Sequence, residues 1–345
     1  MAGEPDSSNG GASRRPVPTP APATGAARAQ PGGTPAALLE ALRVPHWVKN
    51  ILVLVALPFS GRWVYPASWA MALWAFAAFC LLSSAIYLIN DIADRRSDRT
   101  HPLKSLRPVA SGRLSAGAAA AAAVVLLAAG AAIVICMSRR LHNPALPLQG
   151  LGLPLWAGAY VLINLAYSLG LKGRPILDVL IIAFGFVLRA MAGAAAIAVV
   201  ISPWLVVCTL MLCLFIALAK RRSEIVSLGQ AAAATRRVHA FYTVANLEHM
   251  LAVSAGLAIV TYSLYCLAPQ TVQRVRSAHL IWTIPLVVYG MFRYYCLTLG
   301  SAGEDPIKLL LRDKAIWVVG AIWLACVIVV LRWGGSGAVQ GLLLQ

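Results

Sequence analysis

The sequence is short of acid. Asp and Glu number 12 among 345 residues, against 29 Lys and Arg, for a net charge of +17. The seven cysteines contain no C-x-x-C pair, so no cysteine metal site and no disulfide framework is indicated. Lying mostly inside apolar runs, they read as small buried hydrophobes. The apolar stretches are continuous rather than alternating, which excludes a transmembrane β-barrel. The first residues lack the basic start and apolar core of a secretory signal, so the first membrane helix is expected to direct insertion. No internal repeat stands out, which argues against a transporter for a phosphorylated solute. No histidine is convincingly placed as a base, since His46 and His101 are equally well explained as interfacial side chains.

What fills the chain is apolar. Hydrophobic residues make up 60% and the mean hydropathy is +0.76, whereas a soluble globular protein is nearer half apolar. Several runs reach about 20 residues, the length that crosses a bilayer as a helix. The expectation is an all-α integral membrane protein with nine transmembrane helices, near 48–60, 68–92, 115–138, 152–170, 176–199, 202–219, 242–268, 279–299 and 314–332. Residues 1–36, rich in Ala, Gly, Pro, Ser and Thr, read as a disordered low-complexity tail. Residues 37–345 read as one transmembrane domain.

A pI of about 10.1 would suggest nucleic acid in a soluble protein. Here the positives are topological, and no nucleic-acid partner is expected. With the N-terminus inside, only Arg62, Arg139, Arg140, Arg274, Arg276 and Arg332 fall on the outer side, and most of the remainder fall on the inner side. That asymmetry places the N-terminus in the cytoplasm.

Against this background the stretch from Tyr87 to Arg113, YLINDIADRRSDRTHPLKSLRPVASGR, is anomalous. Asp91, Asp94 and Asp98 fall within eight positions, and on a helix the spacing i, i+3, i+7 shares one face. Clustered carboxylates repel unless cations neutralise them. Mg²⁺ suits oxygen ligands and bridges protein carboxylates to substrate phosphates. Pro102 and Pro108 stop a regular helix and fix a loop presenting His101, Lys104 and Arg107, and Lys and Arg are the usual phosphate binders. Metal on one side and cations on the other compose a diphosphate site. A solvated helix end of mixed charge is the plainer alternative.

Three further polar segments fall on the same side: YSLGLKGRPILDV with Tyr167, Lys172, Arg174 and Asp178; AKRRSE with Lys220, Arg221, Arg222 and Glu224; and GSAGEDPIKLLLRDK with Glu304 and Asp305. Four such loops either close over one polar cavity or are scattered juxtamembrane charges. Lys49, just before the first span, faces the same compartment. Asp178 and Arg189 lie within the fifth span, where a charge is costly and marks a bundle interior or site. An ion pair serving only packing is the alternative for Arg189.

These residues resemble the UbiA superfamily of intramembrane prenyltransferases. The signature N-D-x-x-D-x-x-x-D stands at Asn90 to Asp98. Within the superfamily the chain is most similar to the decaprenyl-phosphate phosphoribosyltransferase branch. That similarity rests on DRTHPLKSLRPVASG (98–112), YSLGLK with Asp178, GFVLRAMAG (185–193), AKRRSE (219–224), GEDPIKLLLRD (303–313) and RVPHWVKN (43–50). Together these span most of 43–333. The chain departs from the aromatic prenyltransferases at the second acidic motif, D-x-x-x-D, because Asp178 is followed by Ile182.

The resemblance implies a nine-helix bundle in a bacterial inner membrane with a cytosol-facing cavity. It implies Mg²⁺-dependent transfer of 5-phosphoribose from phosphoribosyl diphosphate to a polyprenyl, decaprenyl-like phosphate, with release of diphosphate. The alternative is an aromatic prenyltransferase using a polyprenyl diphosphate. Asp91 and Asp94 are then the metal ligands, with Asn90 and Asp98 assisting. Lys104 and Arg107 bind donor phosphate. Lys172 with Lys220, Arg221 and Arg222 holds the lipid phosphate or the 5-phosphate. Asp178 orients ribose hydroxyls or a basic neighbour, and Glu304 and Asp305 belong to a closing loop. Lys49, Tyr167, Arg189 and Glu224 complete the substrate-binding set.

Overall fold

The computed structural model describes residues 35–100, 104–141, 150–228, 241–301 and 303–333. The tail assigned to 1–36 therefore lies outside the described residues, apart from Pro35 and Ala36, which already begin a helix. Nine segments among the described residues are long and apolar enough to cross a membrane, and the chain is a multi-pass membrane protein. The first, Pro35–Phe59, is a composite of α1 (Pro35–Leu42), a 3-10 helix (Val44–Leu54) and α2 (Ala56–Phe59). The second is α3 (Pro66–Ala93), followed by the short α4 (Arg95–Arg99) and α5 (Pro108–Ser111). Then come α6 (Ala116–Leu141), α7 (Gly152–Leu169), α8 (Leu177–Ala196), α9 (Pro203–Leu228) and α10 (Val244–Leu267). After α11 (Pro269–Val275), the chain closes with α12 (Ile284–Gly300), α13 (Pro306–Arg312) and α14 (Lys314–Trp333).

Two spans depart from expectation. The first begins thirteen residues earlier than 48, because Arg43, His46 and Lys49 interrupt the apolar run while helical segments lie on both sides of Arg43. Arg43 breaks α1 from the 3-10 helix with left-handed angles (φ 53°, ψ 47°), and Pro45 then fits the first turn, where its missing N–H is not needed. The sixth span was expected to end at 219, yet α9 continues to Leu228. Lys, Arg and Glu are good helix formers, so the charges of AKRRSE end the apolar run but not the helix.

The bundle has two packed halves. Val53, Phe79, Leu82, Leu153 and Tyr160 centre the first, from the composite span, α3 and α7, with α6 and α8 packed on them. Phe215, Leu247, Leu251, Met291 and Tyr294 centre the second, from α9, α10 and α12. Helix α8 packs on both α7 and α9, so the seam between the halves runs along it. Lipid is as apolar as these side chains, so close contact rather than exclusion of water holds the helices together. Gly193 shows this directly: a Cβ there would lie 1.8 Å from the Val53 carbonyl oxygen, so only glycine lets the 3-10 helix lie against α8.

The cysteine expectation holds only in part. Cys80, Cys213 and Cys266 are buried, whereas Cys136 and Cys296 are exposed on the outside of the bundle, and all are free thiols. In a membrane protein an apolar run supplies a lipid-facing surface as readily as a core.

Candidate active site

The antiparallel succession of spans brings the C-terminal ends of α3, α7, α9 and α12 to one end of the bundle, with the N-terminal ends of α8, α10 and α14. Side chains tie these ends together. Lys172, after α7, pairs with Asp94 Oδ1 at the end of α3. Arg221 on α9 reaches Asp178 Oδ2 on α8 at 2.6 Å. Arg222 donates to the Thr298 and Leu299 carbonyls at the end of α12, at 2.8 and 3.1 Å. Ser223 Oγ donates to the carbonyls of Gly303 and Glu304, each at 2.7 Å.

A cavity of about 290 Å³ lies at this end, between α3, α7, α8 and α9. Each helix contributes one face, as the Ile182, Gly185, Phe186, Arg189 spacing on α8 illustrates. Six basic side chains line it: Arg43, Lys49, Arg107, Arg189, Lys220 and Arg221. Glu224 is the one lining carboxylate among the described residues. So cationic a cavity suits a ligand carrying several negative charges.

The aspartate cluster borders this cavity in a form the spacing did not anticipate. Helix α3 stops at Ala93, Asp94 caps it, and Asp98 belongs to the separate α4. Asp91 and Asp98 nevertheless stay together, because Arg107 Nη1 donates to Asp91 Oδ1 at 3.2 Å and to Asp98 Oδ2 at 2.7 Å. Arg43 Nη2 adds a 2.5 Å bond to the same Asp91 oxygen. Guanidiniums and one ammonium thus relieve the repulsion among the carboxylates. Asp91 is 1% exposed and Asp94 is 21% exposed at the side chain. Among the described residues no three Asp, Glu, His or Cys side chains are grouped to hold a metal ion by themselves.

Of the other expected site residues, Asn90, Lys49, Tyr167, Arg189, Lys220, Arg221 and Glu224 line the cavity. Lys172 is spent on Asp94. Arg222 is buried away from the cavity and binds Glu248 at 2.8 Å as well as the α12 carbonyls. Asp178 is fully buried, with Arg221 on one oxygen and the Tyr242 hydroxyl donating to the other at 2.8 Å. That geometry orients a basic neighbour, one of the two roles expected of it. Lys104 sits in the turn Lys104–Leu106 beside the cavity without lining it. Asp305 caps α13 through the Ile307 N–H at 2.9 Å, and Glu304 stands 3.7 Å from Arg312. His101 and Pro102 lie outside the described residues.

Four residues enter the site that the sequence did not single out: Arg43, Asn50, Tyr160 and Tyr242. Asn50 and Tyr160 fix Arg189, whose Nε donates to Asn50 Oδ1 at 2.8 Å and whose Nη2 donates to the Tyr160 hydroxyl at 2.8 Å. The ion-pair alternative for Arg189 is therefore not what the structure contains among the described residues. Tyr242 accepts the Ile176 N–H at 2.7 Å while donating to Asp178. Burial pushes its phenol up from the ordinary value, and the Asp178 carboxylate adds to this, so it stays protonated as a donor. It steadies a strained place, since Ile176 is β-branched and has φ 68°.

Among the described residues, nine apolar membrane-spanning segments enclose a cation-rich cavity bordered by carboxylates, which makes this an intramembrane protein built to hold an anionic ligand. The model of the UbiA prenyltransferase family matches residues 51–312. The chain is 30% identical to the decaprenyl-phosphate phosphoribosyltransferase of Corynebacterium glutamicum, over 84% of this chain and 85% of that one. It is 28% identical to the enzyme of the same name from Mycobacterium tuberculosis, over 86% and 95%. Among solved structures, a UbiA homolog from Archaeoglobus fulgidus bound to GPP and Mg²⁺ superposes with a TM-score of 0.63 at 17% identity, covering 86% of this chain and 99% of that one. The chain belongs to the UbiA prenyltransferase family.

Proposed function

We propose that this protein transfers 5-phosphoribose from phosphoribosyl diphosphate to a polyprenyl phosphate, with its cavity facing the cytoplasm of a bacterial inner membrane. The observation that carries the reading is the cavity's six basic side chains to one carboxylate. Donor diphosphate, donor 5-phosphate and lipid phosphate are three anionic groups that must meet in one place. The relatives named for this activity support the choice of substrates, and the excess of Lys and Arg on one side supports the orientation.

Arg107, on the cavity wall beside Asp91, binds the donor diphosphate. Lys220, next to the Arg221–Asp178 pair, meets the lipid phosphate. The C1–O bond to diphosphate breaks with its electron pair leaving on the diphosphate, and a lipid phosphate oxygen forms the new bond to C1. The attacking oxygen is already anionic, so no proton moves and no general base is needed. The basic side chains are fixed before reaction by their carboxylate and carbonyl partners, so they stabilise the departing charge without reorganising. Mg²⁺ would be held by Asp94 and Asp91 together with donor oxygens, the usual mode for an ion that takes one or two carboxylates, and would supply neutralisation of the leaving group. The donor set fits: Asp94 is partly exposed and holds only a lysine, and both guanidinium bonds to Asp91 fall on its Oδ1.

The test supplies purified protein with radiolabelled phosphoribosyl diphosphate, a polyprenyl phosphate and Mg²⁺. Label should pass into the lipid phase, and EDTA should stop it. Absence of transfer, with turnover instead of a prenyl diphosphate and an aromatic acid, would refute the reading and leave the family intact.

A further inference from the structure

Arg189 differs from the other guanidiniums that line or border the cavity. Arg43, Arg107, Arg221 and Arg222 all pair with carboxylates. Arg189 is 6% exposed and bonds Asn50, Tyr160 and the Gly185 carbonyl, all neutral. The rings of Tyr160 and Phe186 lie 4.6 and 5.2 Å from its guanidinium carbon. Among the described residues it has no ion pair, and neither does Lys49, the neighbour of Asn50 in the chain. A buried charge in a membrane bundle is costly unless a counter-charge arrives. The fork has five N–H groups and these bonds take three.

Depth decides which anion this is. Arg189 lies eleven residues along α8 from Asp178, about 16 Å further into the bundle at 1.5 Å per residue. It is the innermost charge on the cavity wall of α8, and Lys49 lines the same cavity from the 3-10 helix, next in the chain to the Asn50 that binds Arg189. A lipid phosphate stays at headgroup height, and Lys220 is the chain neighbour of Arg221, which pairs with Asp178 at the start of α8. Only the far end of a water-soluble substrate, entering from the mouth, reaches the floor.

We propose that Lys49 and Arg189 form a phosphomonoester site at the cavity floor that receives the donor's 5-phosphate, while the diphosphate stays near Arg107 and Asp94. This rests on the phosphoribosyl reading for the donor's identity. It replaces the assignment of that phosphate to the set Lys172, Lys220, Arg221 and Arg222, of which Lys172, Arg221 and Arg222 are paired with Asp94, Asp178 and Glu248.

The experiment measures binding of ribose 5-phosphate, with ribose as the neutral control, to the full chain in detergent by calorimetry. Wild type should bind ribose 5-phosphate and not ribose. Lys49→Met and Arg189→Lys should each weaken binding at least about tenfold, whereas Lys220→Met should weaken it clearly less and raise the KM for lipid phosphate. Should Arg189→Lys fail to fold, Lys49→Met decides alone. Binding indifferent to Lys49, no binding to wild type, or an equal loss in Lys220→Met would overturn the floor site. Because binding needs no turnover, Lys49-dependent binding in a protein that transfers nothing would support the floor site while sinking the phosphoribosyl reading. Intact transfer with Lys49-independent binding would do the reverse.

Discussion

Asp91 and Asp94 stand one helical turn apart in physically different settings. Asp94 holds a single lysine at a partly exposed helix end, so Asp94→Ala should keep folded yield while turnover falls at least about 100-fold. A detergent-purified sample with a normal melting profile and near-normal turnover would contradict this. Asp91 is buried under two guanidiniums. Truncating it leaves both without their shared acceptor, a loss of up to about 3 kcal/mol given that each guanidinium is a fifth to a quarter exposed. Asp91→Asn is therefore the variant that separates chemistry from folding. Tyr242→Phe should cost about 1–3 kcal/mol, because a fully buried Asp178 oxygen loses its donor and the Ile176 N–H its acceptor; unchanged thermal unfolding would contradict the clamp. The aspartates were legible because their signature is local. Arg43, Asn50, Tyr160 and Tyr242 were not, because each finds its partner across the bundle, at separations of 48 to 139 positions for Arg43 and Asn50. Nothing adjacent in sequence marks such a choice of partner.

At the scale of elements, α9 and the composite first span carry the site. Apolar run length located nine spans but misplaced both of these ends, because helix continues wherever propensity allows and run length reports only lipid contact. Gly193→Ala should abolish close packing of the 3-10 helix on α8 and strongly lower folded yield, since the new methyl meets backbone rather than a side chain that could move. Recovery of normal amounts of monodisperse protein would show that this approach is dispensable. The corner between α13 and α14 makes a different prediction. Arg293, at 2.9 Å, and the Ile316 N–H, at 2.9 Å, hold the Asp313 carboxyl below its ordinary value. A depressed value means stability present above the unfolded carboxyl range and lost as pH falls through the folded value. The difference in melting temperature between wild type and Asp313→Asn should therefore shrink as pH is lowered through 4 and below, and a pH-independent difference would contradict the pairing.

At the scale of the molecule, two packed halves meet along α8, and the cavity lies where they meet. The arrangement places fixed cations within a low-dielectric bundle, where each acts more strongly on a bound anion than it would in water. The central claim is that these cations gather a soluble phosphorylated sugar donor and a lipid phosphate for one exchange at C1. The most direct measurement is the mass of the lipid product, taken together with the diphosphate released. A product heavier than the polyprenyl phosphate by one phosphoribosyl group, with one diphosphate formed per lipid consumed, is the predicted result. A product carrying the prenyl chain on carbon, or a lipid gaining ribose without its 5-phosphate, would contradict the account.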